Sequence, residues 1–151
     1  MKEDIKSNQI NNKLFVVLSR AVESIERRTA ENIKKHGMNL TEFAVLELLF
    51  SKGDQPIQKI GQKILIASSS ITYVVDKLEK KKYLERVACP TDRRVTYAAI
   101  TDAGRDFMEE TFPKHEALIS DVMSVLGTEE KEVMIEQIKK IGLFAEQYQT
   151  E

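Results

Sequence analysis

The residues with the most chemical potential fall in one short stretch, Cys89-Pro90-Thr91-Asp92-Arg93-Arg94. Two adjacent guanidinium groups beside a carboxylate suit charge-assisted hydrogen bonding. Asp92 can hold an arginine extended, and the donor fork at its end can then address a phosphate or a base edge. Cys89 lies near Arg86, Arg93 and Arg94 in sequence, whose charge would lower its thiol pKa and make it a candidate electrophile or oxidant sensor. The chain has a single cysteine, so no second thiol in the chain can resolve an oxidised one, and a spectator thiol is the competing reading.

A second polar stretch, Ser68-Ser69-Ser70 followed by Thr72, Tyr73 and Lys77, offers hydroxyls and an ammonium. A serine nucleophile needs a base and an orienting partner. Neither His36 nor His115 is placed for that role, and there is no Gly-x-Ser-x-Gly elbow. Helix capping and phosphate contact explain the serines better. A phosphate-cradling glycine loop is also missing, so the chain is not expected to be an enzyme or to carry a cofactor. One cysteine and two histidines do not make a soft-ligand metal cage, and no metal is expected.

Charge places these groups in context. The chain carries −1 overall, yet residues 55–100 hold nine Lys or Arg against four acids, a local +5 that leaves −6 for the remainder. A basic segment in an acidic chain is the footprint of a surface that meets a phosphate backbone, with a solvated charged face as the plainer alternative. No apolar run approaches the roughly 18–20 residues that span a bilayer, and the first twelve residues are polar, so a cytoplasmic protein is expected.

The elements that must position these groups follow from apolar spacing. Leu14, Val17, Leu18, Ala21, Val22, Ile25 and Ile33 recur at helical steps and predict a long first helix over about 12–36, stopped by His36-Gly37. Residues 40–50 predict a second, core-forming helix with Thr41 as its cap and Gly53-Asp54 after it. Ile57, Ile60 and Ile64 predict a short third helix opening at Pro56. The serine run then caps a fourth helix to about Lys82, with Ile71, Val74, Val75 and Leu78 inward and Ser69, Ser70, Thr72, Tyr73, Asp76, Lys77 and Lys80 outward. Residues 84–88 and 95–100 read as strands of a β-hairpin around the Asp-Arg-Arg turn.

Thr101-Asp102-Ala103-Gly104 starts a fifth helix bearing Phe107, Phe112, Leu118, Ile119, Val122 and Leu126, with a kink or break expected at Pro113. Gly127 to Glu130 opens a sixth, with Met134, Ile138, Ile141, Phe144 and Tyr148 on one side. At 151 residues the chain is expected to form one domain, mainly α with a small β-hairpin wing. Two short helices with a polar second helix, followed by an arginine-tipped hairpin, can set that helix in a major groove about 12 Å wide and the hairpin in the adjacent minor groove.

The ordered set 71–81, then Pro90-Thr91-Asp92-Arg93-Arg94, then Ile100-Thr101-Asp102-Ala103-Gly104, resembles the recognition helix, wing and wing-to-helix junction of the MarR family. The resemblance extends over nearly the whole chain. It implies a winged helix-turn-helix over about 40–104, with 8–36 and 105–149 as dimerisation helices. It also implies a homodimer on double-stranded DNA with a palindromic operator. Leu65 and Lys82 depart from the pattern, standing where many members have glycine.

Stretches 15–21, 40–49, 70–79 and 89–95 further resemble a quinone-responsive subgroup. This implies a repressor of detoxification or stress genes released by quinones or other aromatic compounds. Ser68, Ser69, Ser70, Thr72, Tyr73, Lys77, Asp92, Arg93 and Arg94 are the candidate DNA-binding residues. Phe15, His36, Phe43, Phe107, Phe112 and His115 are candidates, by composition, for an effector pocket. Release through Cys89, and a winged-helix protein-interaction module without DNA binding, are the alternatives.

Overall fold

A computed structural model describes residues 2–64 and 70–149. The elements run α1 (Lys2–Lys34), α2 (Leu40–Lys52), β1 (Gln55–Pro56), α3 (Ile57–Lys63), α4 (Ile71–Lys80), β2 (Leu84–Ala88), β3 (Thr96–Ile100), α5 (Asp102–Met123) and α6 (Thr128–Gln147). Two compact units divide the chain, one through Glu116 and one from Ala117, with the boundary inside α5.

In the first unit the core forms around α2. Its Phe43, Val45, Leu46 and Leu49 pack with Ile60 of α3, Val74, Val75 and Leu78 of α4, Leu84 of β2, Ala98 of β3 and Met108 of α5. Removing these side chains from water supplies the main drive to hold α4 against α2 and α3. The inward stripe of α4 is the expected one. Only the C-terminal end of α1 joins this core, through Ile33; Leu14, Val17 and Val22 are exposed in the single chain.

The sheet has three antiparallel strands in the order β1-β3-β2. The hairpin pairs Leu84 with Ile100 through to Ala88 with Thr96, so Cys89 to Val95 form the connecting loop. Strand β1 was not expected. Two residues are too short to show an alternating pattern, and Pro56 is tolerated because β1 is an edge strand. Gln55 is buried there, donating to the Gly53 carbonyl at 3.3 Å and accepting from Lys63 Nζ at 2.5 Å.

Several expected helix ends shift. The cap of α2 is Asn39 rather than Thr41: Asn39 Oδ1 accepts from the Glu42 N–H at 2.8 Å, and Thr41 is buried inside the helix. Helix α1 begins earlier than expected, at Lys2, because polar helix formers carry no apolar signal of their own. Of the kink or break expected at Pro113, no break occurs: helix α5 runs through it and ends at Met123, which leaves Leu126 in the following turn.

The second unit holds the end of α5 and α6. Helix α6 opens where the sequence signal placed it, and Glu130 accepts from the Gly127 N–H at 3.2 Å. Met134, Ile138, Ile141 and Phe144 are exposed, and the rings of Phe144 and Tyr148 lie 5.8 Å apart. Among the described residues, no helix is long and apolar enough to cross a membrane.

Candidate nucleic-acid interface

Helix α4 presents Thr72, Tyr73, Asp76, Glu79 and Lys80 to solvent. Tyr73 is 59% exposed, and Lys77 Nζ stands 5.3 Å from its ring centroid, a cation–π distance. Ser70 occupies the cap position and is exposed, but its side chain makes no capping hydrogen bond, contrary to expectation. Ser68, Ser69 and Leu65 lie outside the described residues.

Not every cation of the basic segment faces outward. Arg86 of β2 reaches across to α4, with Nη2 2.5 Å from Asp76 Oδ1 and Nη1 2.7 Å from Glu79 Oε1. The hydrogen bond to Asp76, reinforced by Glu79, raises the Arg86 pKa above its ordinary value. Lys81 turns inward, 2.6 Å from Glu42 Oε2, and donates to the Gly37 carbonyl at 2.8 Å. These side chains fasten α4 to the wing and to α2.

The C-terminal end of α4 shows how the chain manages without glycine. Lys82 takes φ 64°, with its N–H bonded to the Glu79 carbonyl at 2.9 Å and that of Tyr83 to the Leu78 carbonyl at 3.0 Å. This is the paired pattern that closes a helix through a left-handed residue. The wing is then locked to α5. Thr101 Oγ1 donates to the Lys82 carbonyl at 2.6 Å and accepts from the Gly104 N–H at 3.1 Å, while the Thr101 N–H bonds to the Tyr83 carbonyl at 3.1 Å. A Cβ on Gly104 would lie 2.0 Å from the Tyr83 carbonyl oxygen, so this junction requires glycine.

At the wing tip, Asp92 takes Arg94 as the sequence suggested. Oδ1 accepts from Nε at 3.1 Å and from the Arg94 backbone N–H at 3.0 Å, and Oδ2 accepts from Nη2 at 3.2 Å. The same bonds lower the Asp92 pKa. Arg93 is exposed beside it. Cys89 is half-buried, its Sγ 3.3 Å from Thr91 Oγ1. Its thiol pKa is lowered, but the cause differs from the expected arginines: the Thr91 hydroxyl leads, followed by the backbone N–H groups of Thr91 and Asp92.

The candidate pocket residues separate. Phe43, Phe112 and His115 come together, with His115 5.0 Å from Phe43 and 6.1 Å from Phe112 between ring centroids. Phe50, which sequence reasoning missed, joins through Phe112 at 6.2 Å. His115 Nδ1 is buried with no hydrogen-bond partner among the described residues. Phe107 instead stacks on Tyr83 at 4.8 Å, Phe15 is 72% exposed on α1, and His36 is half-buried after the end of α1. Among the described residues, no group of His, Cys, Asp and Glu could hold a metal ion.

A family model described as the MarR family matches residues 38–96, from the turn before α2 to the start of β3. The HTH-type transcriptional regulator MhqR of Bacillus subtilis (strain 168) is 58% identical over 136 residues, covering 90% of this chain and 94% of that protein. The transcriptional repressor MprA of Escherichia coli (strain K12) is 30% identical, covering 83% and 74% respectively. Among solved structures, Sco3205 of Streptomyces coelicolor, a MarR family transcriptional regulator crystallised in complex with DNA, superposes with a TM-score of 0.79. It covers 91% of this chain and 88% of its own at 21% identity, a likeness of fold. With a winged helix carried on flanking helices and this similarity along nearly its full length, the chain belongs to the MarR family of transcriptional regulators.

Proposed function

We propose that the chain is a cytoplasmic homodimeric repressor that binds a palindromic operator and is released from it by quinones or other aromatic compounds. The observation that carries the DNA contact is the Asp92–Arg94 fork at the wing tip, which presents an exposed guanidinium to solvent. Arg93 and Arg94 would enter the minor groove, where a narrow A·T-rich stretch concentrates negative potential. Ser68, Ser69, Ser70, Thr72, Tyr73 and Lys77 would meet base edges and phosphates of the major groove.

Residues 40–104 form the DNA-binding block in this reading, and 8–36 and 105–149 the dimerisation helices. Its support is the apolar surface left bare in one chain, including Leu14 of α1 and Ile138, Ile141 and Phe144 of α6. Exposed patches of that kind call for a partner, and two-fold symmetry would place the recognition helices about 34 Å apart. The names of the relatives support repression, through MprA, and transcriptional control, through MhqR. For the effector, the ring cluster of Phe43, Phe112 and His115 offers apolar faces and one unsatisfied nitrogen, a combination that suits an aromatic molecule with a polar substituent.

A second trigger has its own observation. The lowered pKa of Cys89 enriches the thiolate on the wing, where an adduct would obstruct DNA contact directly. Footprinting on the protein's own promoter, with and without a panel of quinones and phenolic acids, tests the function. Protection of a palindrome that is lost with an aromatic compound is the expected result, and the absence of any protected site would overturn it. Repeating the release with Cys89→Ser separates the triggers: retained release favours the ring cluster, lost release the thiol.

A further inference from the structure

Glu42 is a carboxylate in the wrong place for a surface charge. It is 3% exposed, on the helix that forms the centre of the core, directly before Phe43. Burying an anion is costly unless cations and hydrogen bonds surround it, and here both cations come from the recognition helix and its cap. Lys81 Nζ lies 2.6 Å from Oε2 and Lys77 Nζ 3.9 Å from Oε1. Lys81 also donates to the Gly37 carbonyl in the α1–α2 turn, so its ammonium is committed on the protein side. Lys77 is shared: its side chain is 42% exposed, with its ammonium above the Tyr73 ring. The Glu42 backbone is fixed in turn by the Asn39 cap.

We infer that Glu42 is a positioning residue for DNA recognition, withholding Lys81 from the phosphate-contacting set and restraining Lys77 so that α4 offers its cations in one register. This rests on the DNA-binding reading above. The +5 of the basic segment therefore overstates what reaches DNA by the charge of Lys81, because its partner Glu42 lies outside that segment, whereas the Arg86 pairs with Asp76 and Glu79 are already within the sum. A restrained lysine favours one arrangement of phosphates, whereas two freed lysines would take any duplex. Glu42 thus bears on specificity as much as on affinity.

The test uses the full-length protein in fluorescence anisotropy on its promoter fragment and on a scrambled duplex over a range of salt. Glu42→Gln should release both lysines. The slope of log affinity against log salt should steepen by about 1 to 2 per subunit, and preference for the promoter over the scrambled duplex should fall about tenfold. Lys81→Met should leave the slope at the wild-type value. A Glu42→Gln protein with wild-type slope and preference but lowered thermal stability would make Glu42 a purely structural residue and overturn the inference. So would a Lys81→Met slope reduced by about 1 per subunit, because that lysine would then be touching phosphate. If Glu42→Gln does not fold, the Lys81→Met slope decides alone. Absence of any promoter preference in the wild-type protein would instead sink the DNA-binding reading itself.

Discussion

Asp92 and Arg94 form a two-point contact at the tip of the wing, Nε to Oδ1 at 3.1 Å and Nη2 to Oδ2 at 3.2 Å, with the arginine side chain 90% exposed. An ion pair so open to water adds little to folding. Its consequence is to restrict an otherwise mobile side chain before DNA arrives, which lowers the ordering cost of binding.

Arg94→Ala should therefore weaken operator binding by roughly 1–3 kcal/mol while leaving folding and dimerisation unchanged. Asp92→Asn should cause a smaller loss, because the guanidinium remains but its pose does not. Anisotropy titrations paired with size-exclusion chromatography check both, and wild-type affinity in Arg94→Ala would remove the wing from the interface.

Lys82 holds a left-handed conformation at φ 64°, which costs an L-residue roughly 1 kcal/mol that glycine avoids. Lys82→Gly should raise the unfolding free energy by up to about 1 kcal/mol, glycine's looser unfolded chain offsetting part of the gain. Urea denaturation checks this; a lower midpoint would mean that the lysine side chain contributes more than its backbone costs.

At the junction of wing and α5 the opposite substitution is harmful. Gly104→Ala drives a methyl group into the Tyr83 carbonyl oxygen, and the backbone must shift to admit it. A loss of about 3 kcal/mol is expected, the upper end for overpacking. Thermal unfolding should show it, together with weaker DNA binding because the wing moves with the junction.

The thiol makes a prediction about pH. The Thr91 hydroxyl is the leading cause of the lowered Cys89 pKa, and a lowered pKa means more thiolate at a given pH and faster alkylation. Thr91→Val should move the pH–rate profile for iodoacetamide to higher pH. An unmoved profile would mean that the backbone N–H groups alone stabilise the thiolate.

Much of this arrangement could be read from residue spacing. The helical spacing of Ile71, Val74, Val75 and Leu78 placed the inner face of α4, and Thr101 to Gly104 marked the start of α5, where the structure adds the close approach of Gly104 to the Tyr83 carbonyl. Contacts between residues far apart in sequence were harder to foresee. Glu42, three residues after Asn39, has the position of a first-turn acidic residue in a capping box, and nothing local indicates that its side chain turns toward Lys81. Arg86 likewise looked like a neighbour of Cys89, whereas the sheet carries it to Asp76 and Glu79. Strand β1 exists only because β3 supplies its partner.

Titrating the wild-type protein against its own promoter fragment and a scrambled duplex over rising salt asks whether α4 and the arginine wing together read an operator. Preferential binding to the promoter fragment is expected, with a steep linear fall of log affinity with log salt, as several phosphate contacts per dimer require. Equal, weak binding to both duplexes at low salt would contradict it and favour a winged-helix module that docks on protein.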